Sequence, residues 1–364
     1  MQLGFNRKLI LEDGSEYFGF GFGDTADKIC EIVFNTSPVG YQEILSDPSY
    51  TYQAVVMAYP LIGNYGIAAD DFETQTPTIG GLIVRDYNDI PSNFRSIKTL
   101  SQVMKEYSIP GVYGVDTRKL VRSIRDLGSR LVLITNVDTP IEKGLEMIKN
   151  YTPARDAVSK VSRKQVCKYA GVDAKYRVVA IDCGMKQNIV RSLNKKGCDV
   201  TVVPWNTTAD EIIHLKPDGI FISNGPGDPT DATPVIEVVK QLHGKYPIFG
   251  ICLGHQIISL AYGATTYKLK FGHRGGNHPV KNLLSGKIEI TSQNHSYAVD
   301  EKSLENTLLT VTHKNILDNT VEGVECVSDK IFSVQYHPES APGPQDSEYL
   351  FDRFINLMEV EKNV

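Results

Sequence analysis

Several kinds of sequence feature are missing from this chain of 364 residues, and each absence narrows the class of protein. No segment approaches the roughly 18 uninterrupted apolar residues of a membrane-spanning helix, and the first residues contain no apolar signal segment. We therefore expect a soluble, cytoplasmic protein that has no membrane partner. The six cysteines form no Cys-x-x-Cys pair, which predicts reduced thiols, no disulfide and no zinc site.

An excess of positive charge and a nucleotide-binding loop are also missing. The formal net charge is −5, so the chain has no general basic field that would attract nucleic acid. The glycine-rich stretch 19–24 lacks the spacing of a dinucleotide loop, and no Gly-x-x-x-x-Gly-Lys-Ser/Thr motif occurs. These absences predict that the chain itself holds no nucleotide cofactor.

The chain is long enough for two domains, and its pattern changes near the middle. We predict an N-terminal α/β domain over residues 1–150, a linker over 151–176 and a second domain over 177–364. In the second domain, short β-branched runs such as 178–181 and 219–222 alternate with helical patterns such as 187–196. This alternation predicts an α/β fold with a doubly wound, mostly parallel sheet and helices on both faces.

A short apolar run in the second domain ends in Gly-x-Cys-x-Gly, at residues 250–254, and continues as an amphipathic helix. This pattern predicts a nucleophile elbow, since a strand that turns sharply into a helix needs small residues on either side of the turn. Cys252 would lie at the helix start, where unpaired N–H groups favour the reactive thiolate. A buried structural cysteine between two packing glycines is the alternative for this motif by itself.

A second motif supplies the groups that a thiolate nucleophile requires. The strand-like run 331–336 leads into His337, and Glu339 follows two residues later. In an extended chain this spacing places both side chains on the same side. A base needs an acceptor that fixes its orientation, so Cys252, His337 and Glu339 are predicted to form a catalytic triad.

Other candidates for chemistry have weaker support in the sequence. His255 and His295 do not lie two residues from a carboxylate, and neither is predicted to be the base. The stretch 271–279 contains His273 and His278, but no cysteine or carboxylate completes a coordination set. We predict a loop that shapes the site there, and no metal.

The elbow sequence PIFGICLGHQ, at 247–256, together with YHPE, at 336–339, resembles the class I glutamine amidotransferases, which adopt a flavodoxin-like fold. The first domain is similar to a family with a narrower function. The stretches FNTSPVGYQEILSDPSY (34–50), YPLIGNYG (59–66) and GVDTRKL (114–120) resemble the small chains of carbamoyl phosphate synthetases. Other class I amidotransferases lack this domain, so the resemblance covers essentially the whole chain.

The resemblance implies which residues bind substrate. The loop 223–229 and the Leu253 N–H would stabilise the oxyanion, and glycine lets backbone donors come close to it. The implied glutamine contacts are Ser49, Gly225, Gly227, Leu253, Gln256, Asn294, Ser296 and Tyr297. Ser296 and Tyr297 stand where the family commonly has glycine and phenylalanine, and the contact from position 296 is expected to survive if it involves only the backbone. Cys30 also replaces a usual glycine, with no expected effect on the chemistry.

The resemblance also implies the function and the partner. The chain would be the glutaminase subunit of a glutamine-dependent carbamoyl phosphate synthetase, delivering ammonia to a large chain that carries ATP and magnesium. The first domain would contact this partner and contribute Ser49. The alternatives are the glutaminase of another synthesis, such as that of anthranilate or GMP, a cysteine-dependent α/β-hydrolase, and a non-catalytic binding module. The first-domain motifs weigh against the first alternative, and the position of Glu339 after His337 weighs against the second. The presence of all three triad residues weighs against the third.

Overall fold

The computed structural model describes residues 4–362, and the chain divides into two compact units. The first unit extends to Ala154 and includes Lys270–Arg274, and the second contains Arg155–Leu269 and resumes at Gly275. The segment 151–176, which we predicted as a linker, contains a helix over Ala157–Val161 and a strand over Cys167–Tyr169. This strand pairs antiparallel with residues 200–202, so the segment adds an edge to the second unit's sheet.

The first unit is built on a closed barrel, in the strand order β1-β2-β8-β6-β4-β3-β9. Its strands are β1 (Arg7–Leu11), β2 (Glu16–Gly23), β3 (Lys28–Asn35), β4 (Gln53–Met57), β5 (Leu61–Ile62), β6 (Gly81–Ile83), β7 (Asp86–Tyr87), β8 (Pro110–Tyr113) and β9 (Arg130–Asn136). Its helices are α1 (Tyr41–Ser46), α2 (Leu100–Glu106), α3 (Thr117–Leu127) and α4 (Ile141–Lys149). Strands β5 and β7 form a separate parallel pair.

Alternation along the barrel strands directs neighbouring side chains into different apolar clusters. Ile32 and Ala54 belong to a cluster that includes residues of α3, while Val33 and Val55 belong to another that includes residues of α1 and α2. Helix α3 is capped at its start, because the Asp116 carboxylate accepts a hydrogen bond from the Lys119 N–H at 3.0 Å.

The second unit contains one large sheet and helices on both of its faces. Its strands are β10 (Cys167–Tyr169), β11 (Tyr176–Asp182), β12 (Cys198–Pro204), β13 (Gly219–Ile222), β14 (Ile248–Ile251), β15 (Thr266–Asn282), β16 (Ile288–Val299), β17 (Thr310–Asn315), β18 (Val321–Cys326) and β19 (Ile331–Val334). Its helices are α5 (Ala157–Val161), α6 (Gln187–Lys195), α7 (Ala209–His214), α8 (Thr233–Leu242), α9 (Leu253–Ala261), α10 (Glu301–Leu304) and α11 (Tyr349–Lys362).

The predicted doubly wound parallel arrangement is confirmed for five central strands, and β10, β15, β17 and β18 extend the sheet through antiparallel pairs. Strands β12, β11, β13, β14 and β19 are parallel neighbours in that order, which is the flavodoxin-like arrangement. Phe221 and Phe249 lie in a cluster with α6 and α11, whereas Ile220 and Ile248 lie in a cluster with α7, α8 and α9. The carboxyl ends of the parallel strands therefore share one edge, where ligands bind in such folds.

The predicted loop over 271–279 is wrong, because these residues lie within β15. Within the first unit, backbone hydrogen bonds run from the Thr36 N–H to the Arg274 carbonyl and from the Ser129 N–H to the Lys270 carbonyl. Long-range backbone pairing determined the conformation of this stretch, despite its glycines. No helix within residues 4–362 is both long enough and apolar enough to cross a membrane.

Candidate active site

Cys252 lies in a sharp turn between β14 and α9, as the elbow motif predicts. Its backbone adopts φ 54° and ψ −103°, a strained conformation for a residue other than glycine. The Cys252 N–H donates to the Val334 carbonyl at 2.9 Å, which ties the turn to β19. A Cβ on Gly254 would lie 2.3 Å from the Ile222 carbonyl oxygen, and one on Gly250 would lie 2.8 Å from the Gly254 backbone. The requirement for both glycines is thus confirmed.

The Cys252 thiol is almost fully buried, with 2% of the residue exposed, and it precedes the first turn of α9. The Sγ atom donates to the Asn294 carbonyl at 3.6 Å. The sulfur thus lies at the N-terminal end of α9, against the backbone of β16. Asn294, one of the predicted substrate residues, therefore lies beside the candidate nucleophile.

His337 and Glu339 form a buried pair, but their local structure differs from the one we expected. Strand β19 ends at Val334, and both residues lie in the turn that follows rather than in an extended run. The Glu339 carboxylate contacts Nδ1 of His337 at 2.7 Å, and the His337 N–H donates to the Ser292 carbonyl at 2.9 Å. The turn thus directs the carboxylate onto one ring nitrogen and leaves Nε2 without a hydrogen bond of standard geometry.

The charges around His337 favour its protonated form. Burial opposes protonation, but the negative charges of Glu339 and Cys252 raise the pKa of His337 to about 10. An imidazolium at neutral pH suits a thiolate partner, because each ion stabilises the other. The array therefore holds a ring that can donate a proton at neutral pH.

Lys186 is a member of this array that the sequence analysis missed. Its buried ammonium lies 3.0 Å from Oε1 of Glu339 and donates to the Ser340 carbonyl at 2.5 Å. Burial alone would raise the pKa of Glu339, but the charges of Lys186 and His337 lower it to about 2. The available signal was a lysine just after β11, at the carboxyl edge of the sheet.

We expect Lys186→Met to move the acid limb of the kcat/KM profile for glutamine hydrolysis to higher pH. Removing a neighbouring cation favours the protonated form of Glu339, so the pKa of this carboxyl group rises from about 2. For each unit by which this pKa rises, the rate of glutamine hydrolysis at a pH below the new pKa falls roughly tenfold. The measurement is a pH–rate profile, with Lys195→Met as the matched control, because Lys195 lies on α6 with its side chain 71% exposed. An unmoved acid limb would show that Lys186 does not maintain the charge of Glu339.

The glycine-proline loop after β13 lies close to the elbow. A Cβ on Gly225 would lie 2.1 Å from the Cys183 carbonyl oxygen and 2.8 Å from Cδ2 of Leu253. Gly227 adopts a φ of +90°, which side chains rarely tolerate. The structure thus brings Gly225 and Leu253 together at the carboxyl edge of the sheet, and the oxyanion role of the loop stays a prediction.

The amide of Gln256 has a defined orientation that limits what it can offer a substrate. Its Nε2 donates to the Tyr297 carbonyl at 2.8 Å and to Oε1 of Gln335 at 3.0 Å. Because a backbone carbonyl only accepts, these contacts use both amide hydrogens. Gln335, which the sequence analysis missed, is fully buried and lies two residues before His337. Gln256 is therefore positioned from β16 and from the segment after β19.

The remaining predicted residues lie in two places. Ser296 is half-buried on β16, next to Tyr297. Ser49 belongs to the first unit, where it is buried in a short 3-10 turn and its N–H donates to the Asp47 carboxylate at 2.9 Å. Its contact with glutamine stays a prediction.

The two other histidines near these motifs have different partners. His255 is fully buried, its Nδ1 lies 2.9 Å from the Ser333 hydroxyl, and burial lowers its pKa to about 3. It is therefore neutral at ordinary pH. His295 contacts the Tyr297 carbonyl at 2.7 Å and Oε1 of Gln293 at 2.8 Å.

Two family models match different parts of the chain. The family model for class I glutamine amidotransferases matches residues 179–357, and that for the CPSase domain of the carbamoyl-phosphate synthase small chain matches residues 9–134. The solved structure of a putative GMP synthase subunit from Thermoplasma acidophilum is similar over 52% of this chain and 96% of that chain, with 23% identity and a TM-score of 0.46.

Curated relatives match nearly the full chain. The carbamoyl phosphate synthase small chain of Fusobacterium nucleatum is 52% identical over 96% of this chain and 98% of the relative. The corresponding small chain of Staphylococcus haemolyticus is 53% identical over 97% of this chain and 96% of the relative. This level of identity, with both domains matched, shows that the chain belongs to the family of carbamoyl phosphate synthase small chains and carries their class I glutamine amidotransferase domain.

Proposed function

We propose that this glutamine amidotransferase subunit hydrolyses L-glutamine through Cys252, His337 and Glu339 and delivers the ammonia to a carbamoyl phosphate synthase large chain. The observation that carries the proposal is the buried array at one edge of the sheet. In this array the Cys252 thiol at the start of a helix, the His337 imidazole and the Glu339 carboxylate are all buried. The imidazole and the carboxylate are 2.7 Å apart.

In the first half-reaction, the Cys252 thiolate attacks the side-chain carbonyl carbon of glutamine. The tetrahedral intermediate collapses as the carbon–nitrogen bond breaks, and protonated His337 gives its Nε2 proton to the departing ammonia. A γ-glutamyl thioester remains on the sulfur. The raised pKa of His337 supports this role, because the ring carries the required proton at neutral pH.

In the second half-reaction, neutral His337 takes a proton from water as the oxygen attacks the thioester carbon. The carbon–sulfur bond then breaks, glutamate leaves and the Cys252 thiolate is restored. Glu339 keeps the ring oriented in both halves, and Lys186 keeps Glu339 ionised. The net reaction converts glutamine and water into glutamate and ammonia.

Backbone N–H groups would stabilise the oxyanion in both halves. We assign this role to the Leu253 N–H and to the loop that carries Gly225 and Gly227. Each such donor contributes about 3 kcal/mol to transition-state stabilisation. We further propose that Gln256 offers its Oε1 to the α-ammonium group of glutamine, because both amide hydrogens are in use. The other glutamine contacts would come from Ser49, Asn294, Ser296 and Tyr297.

The partner would perform the ATP-dependent chemistry. We place ATP, magnesium and bicarbonate on the large chain and assign no cofactor to this chain. The carbamoyl phosphate would enter arginine and pyrimidine synthesis. The small-chain domain match over residues 9–134 supports this partner over the synthetases of anthranilate or GMP.

The proposal is tested by reconstituting the chain with a large chain of this family. The complex receives glutamine labelled with a heavy nitrogen isotope at the amide, together with ATP and bicarbonate. We expect the label to appear in carbamoyl phosphate, and the chain without its partner to release labelled ammonia and glutamate. Hydrolysis by the chain without label transfer in the complex would reject this partner and retain the glutaminase.

A further inference from the structure

A tight hairpin between β15 and β16 exposes a group of apolar side chains. The Asn282 N–H donates to the Lys287 carbonyl at 2.9 Å, and the Asn282 amide oxygen accepts two further N–H groups within the turn. The exposed side chains, which we name the hairpin patch, are Leu283, Leu284, Ile288 and Ile290. Leu284 is 62% exposed and Ile288 is 61% exposed. Four such residues on one short hairpin mark an interaction surface rather than scattered exposure.

The hairpin is held rigidly from beneath. Glu289 lies between two patch residues in sequence, but alternation along β16 directs its side chain inward, where it is buried. Its carboxylate accepts hydrogen bonds from the Ser347 and Tyr349 hydroxyls at 2.9 Å each, and from Tyr336 at 3.4 Å. The patch is therefore a preorganised surface, which lowers the entropic cost of binding a partner.

The same strand leads to the triad. Ile290 is two residues from Ser292, about 7 Å along a strand, and the Ser292 carbonyl accepts the His337 N–H at 2.9 Å. A second connection runs through Glu289 to Tyr336, the residue that precedes His337. A partner on the hairpin patch would therefore bind close to the site that releases ammonia. It would contact the strand whose backbone positions His337.

The charges beside the patch indicate the kind of partner. Lys281 and Lys287 are exposed, and neither makes an ion pair with a residue in the described part of the chain. A second copy of this chain, related by two-fold symmetry, would bring like charges together. A complementary partner presents an apolar surface with an acidic rim.

We propose that the hairpin patch docks the large chain and that docking sets the position of His337. This inference rests on the proposed function, since it assigns a surface to the partner named there. The patch would act in addition to the contacts expected from the first unit. Transfer of a small, diffusible product requires the acceptor to bind near the site of release, and the hairpin meets this requirement.

The test compares Leu284→Ser/Ile288→Ser with wild type in the full chain. We expect the Kd for the large chain to rise at least about tenfold, because apolar anchors near an interface centre dominate binding. Glutaminase stimulation by the large chain should fall in parallel, while basal hydrolysis and thermal stability stay unchanged. The matched control is Val172→Ser/Val327→Ser, which replaces side chains of 85% and 77% exposure elsewhere in the second unit.

Hydrogen exchange of the wild-type chain gives an independent measurement if the double variant folds poorly. We expect the amides of residues 283–290 to gain protection when the large chain binds. Unchanged affinity of a folded variant, or unprotected hairpin amides in a formed complex, would overturn the docking surface alone. A change in self-association with unchanged large-chain affinity would overturn it in favour of a second copy. Absence of wild-type binding would overturn this proposal together with the partner assignment, while basal glutaminase activity would still stand.

Discussion

Cys252→Ser is expected to abolish glutamine hydrolysis while the complex still makes carbamoyl phosphate from added ammonia. A serine hydroxyl ionises far less readily than a thiol, and position 252 lies at the start of α9 near the charged His337 ring. We expect kcat for glutamine to fall at least about a thousandfold, since loss of a triad nucleophile elsewhere costs more than this. The measurement is steady-state release of glutamate.

Cys167→Ser provides the control for loss of a thiol as such. Cys167 lies on the edge strand β10 and is only partly buried. This variant should hydrolyse glutamine at the wild-type rate. Substantial glutaminase activity in Cys252→Ser would disprove the assignment of the nucleophile, and loss of ammonia-dependent synthesis would indicate a wider structural defect.

His337→Asn should cost more activity than Glu339→Gln. Asparagine cannot carry a proton between the sulfur and the leaving group, whereas a glutamine at position 339 can still accept a hydrogen bond from the His337 ring. The neutral amide removes the negative charge that raises the pKa of His337, so this pKa falls below about 10. Because the imidazolium is the proton donor, the alkaline limb of the pH–kcat profile should move to lower pH in Glu339→Gln.

Parallel measurements separate this effect from unfolding. Glu339→Gln also leaves the buried Lys186 ammonium without its carboxylate partner, so thermal stability should fall. The pH–rate profile is therefore measured at temperatures where the variant is fully folded. An inactive Glu339→Gln beside an active His337→Asn would reverse the two roles.

Local sequence patterns predicted the elements that depend on neighbouring residues. The elbow at Cys252 was predictable because Gly250 and Gly254 lie two residues to either side of it and only glycine fits there. Helix α6 and the parallel strands followed from hydrophobic periodicity, which reports which side chains must be buried. The His337–Glu339 pair was predicted from its spacing, but its geometry comes from a turn rather than an extended strand.

The sequence by itself determined the class of fold and the elbow, because each depends on short-range sterics or on burial of a periodic face. Only the tertiary structure revealed that Lys186 forms an ion pair with Glu339 and that Gln335 orients Gln256. These contacts join residues that follow different strands or lie on a helix. The order of strands in the sheet brings them to one edge, and no local periodicity encodes that order. The stretch 271–279 shows the same limit, because long-range backbone pairing makes it a strand despite its glycines.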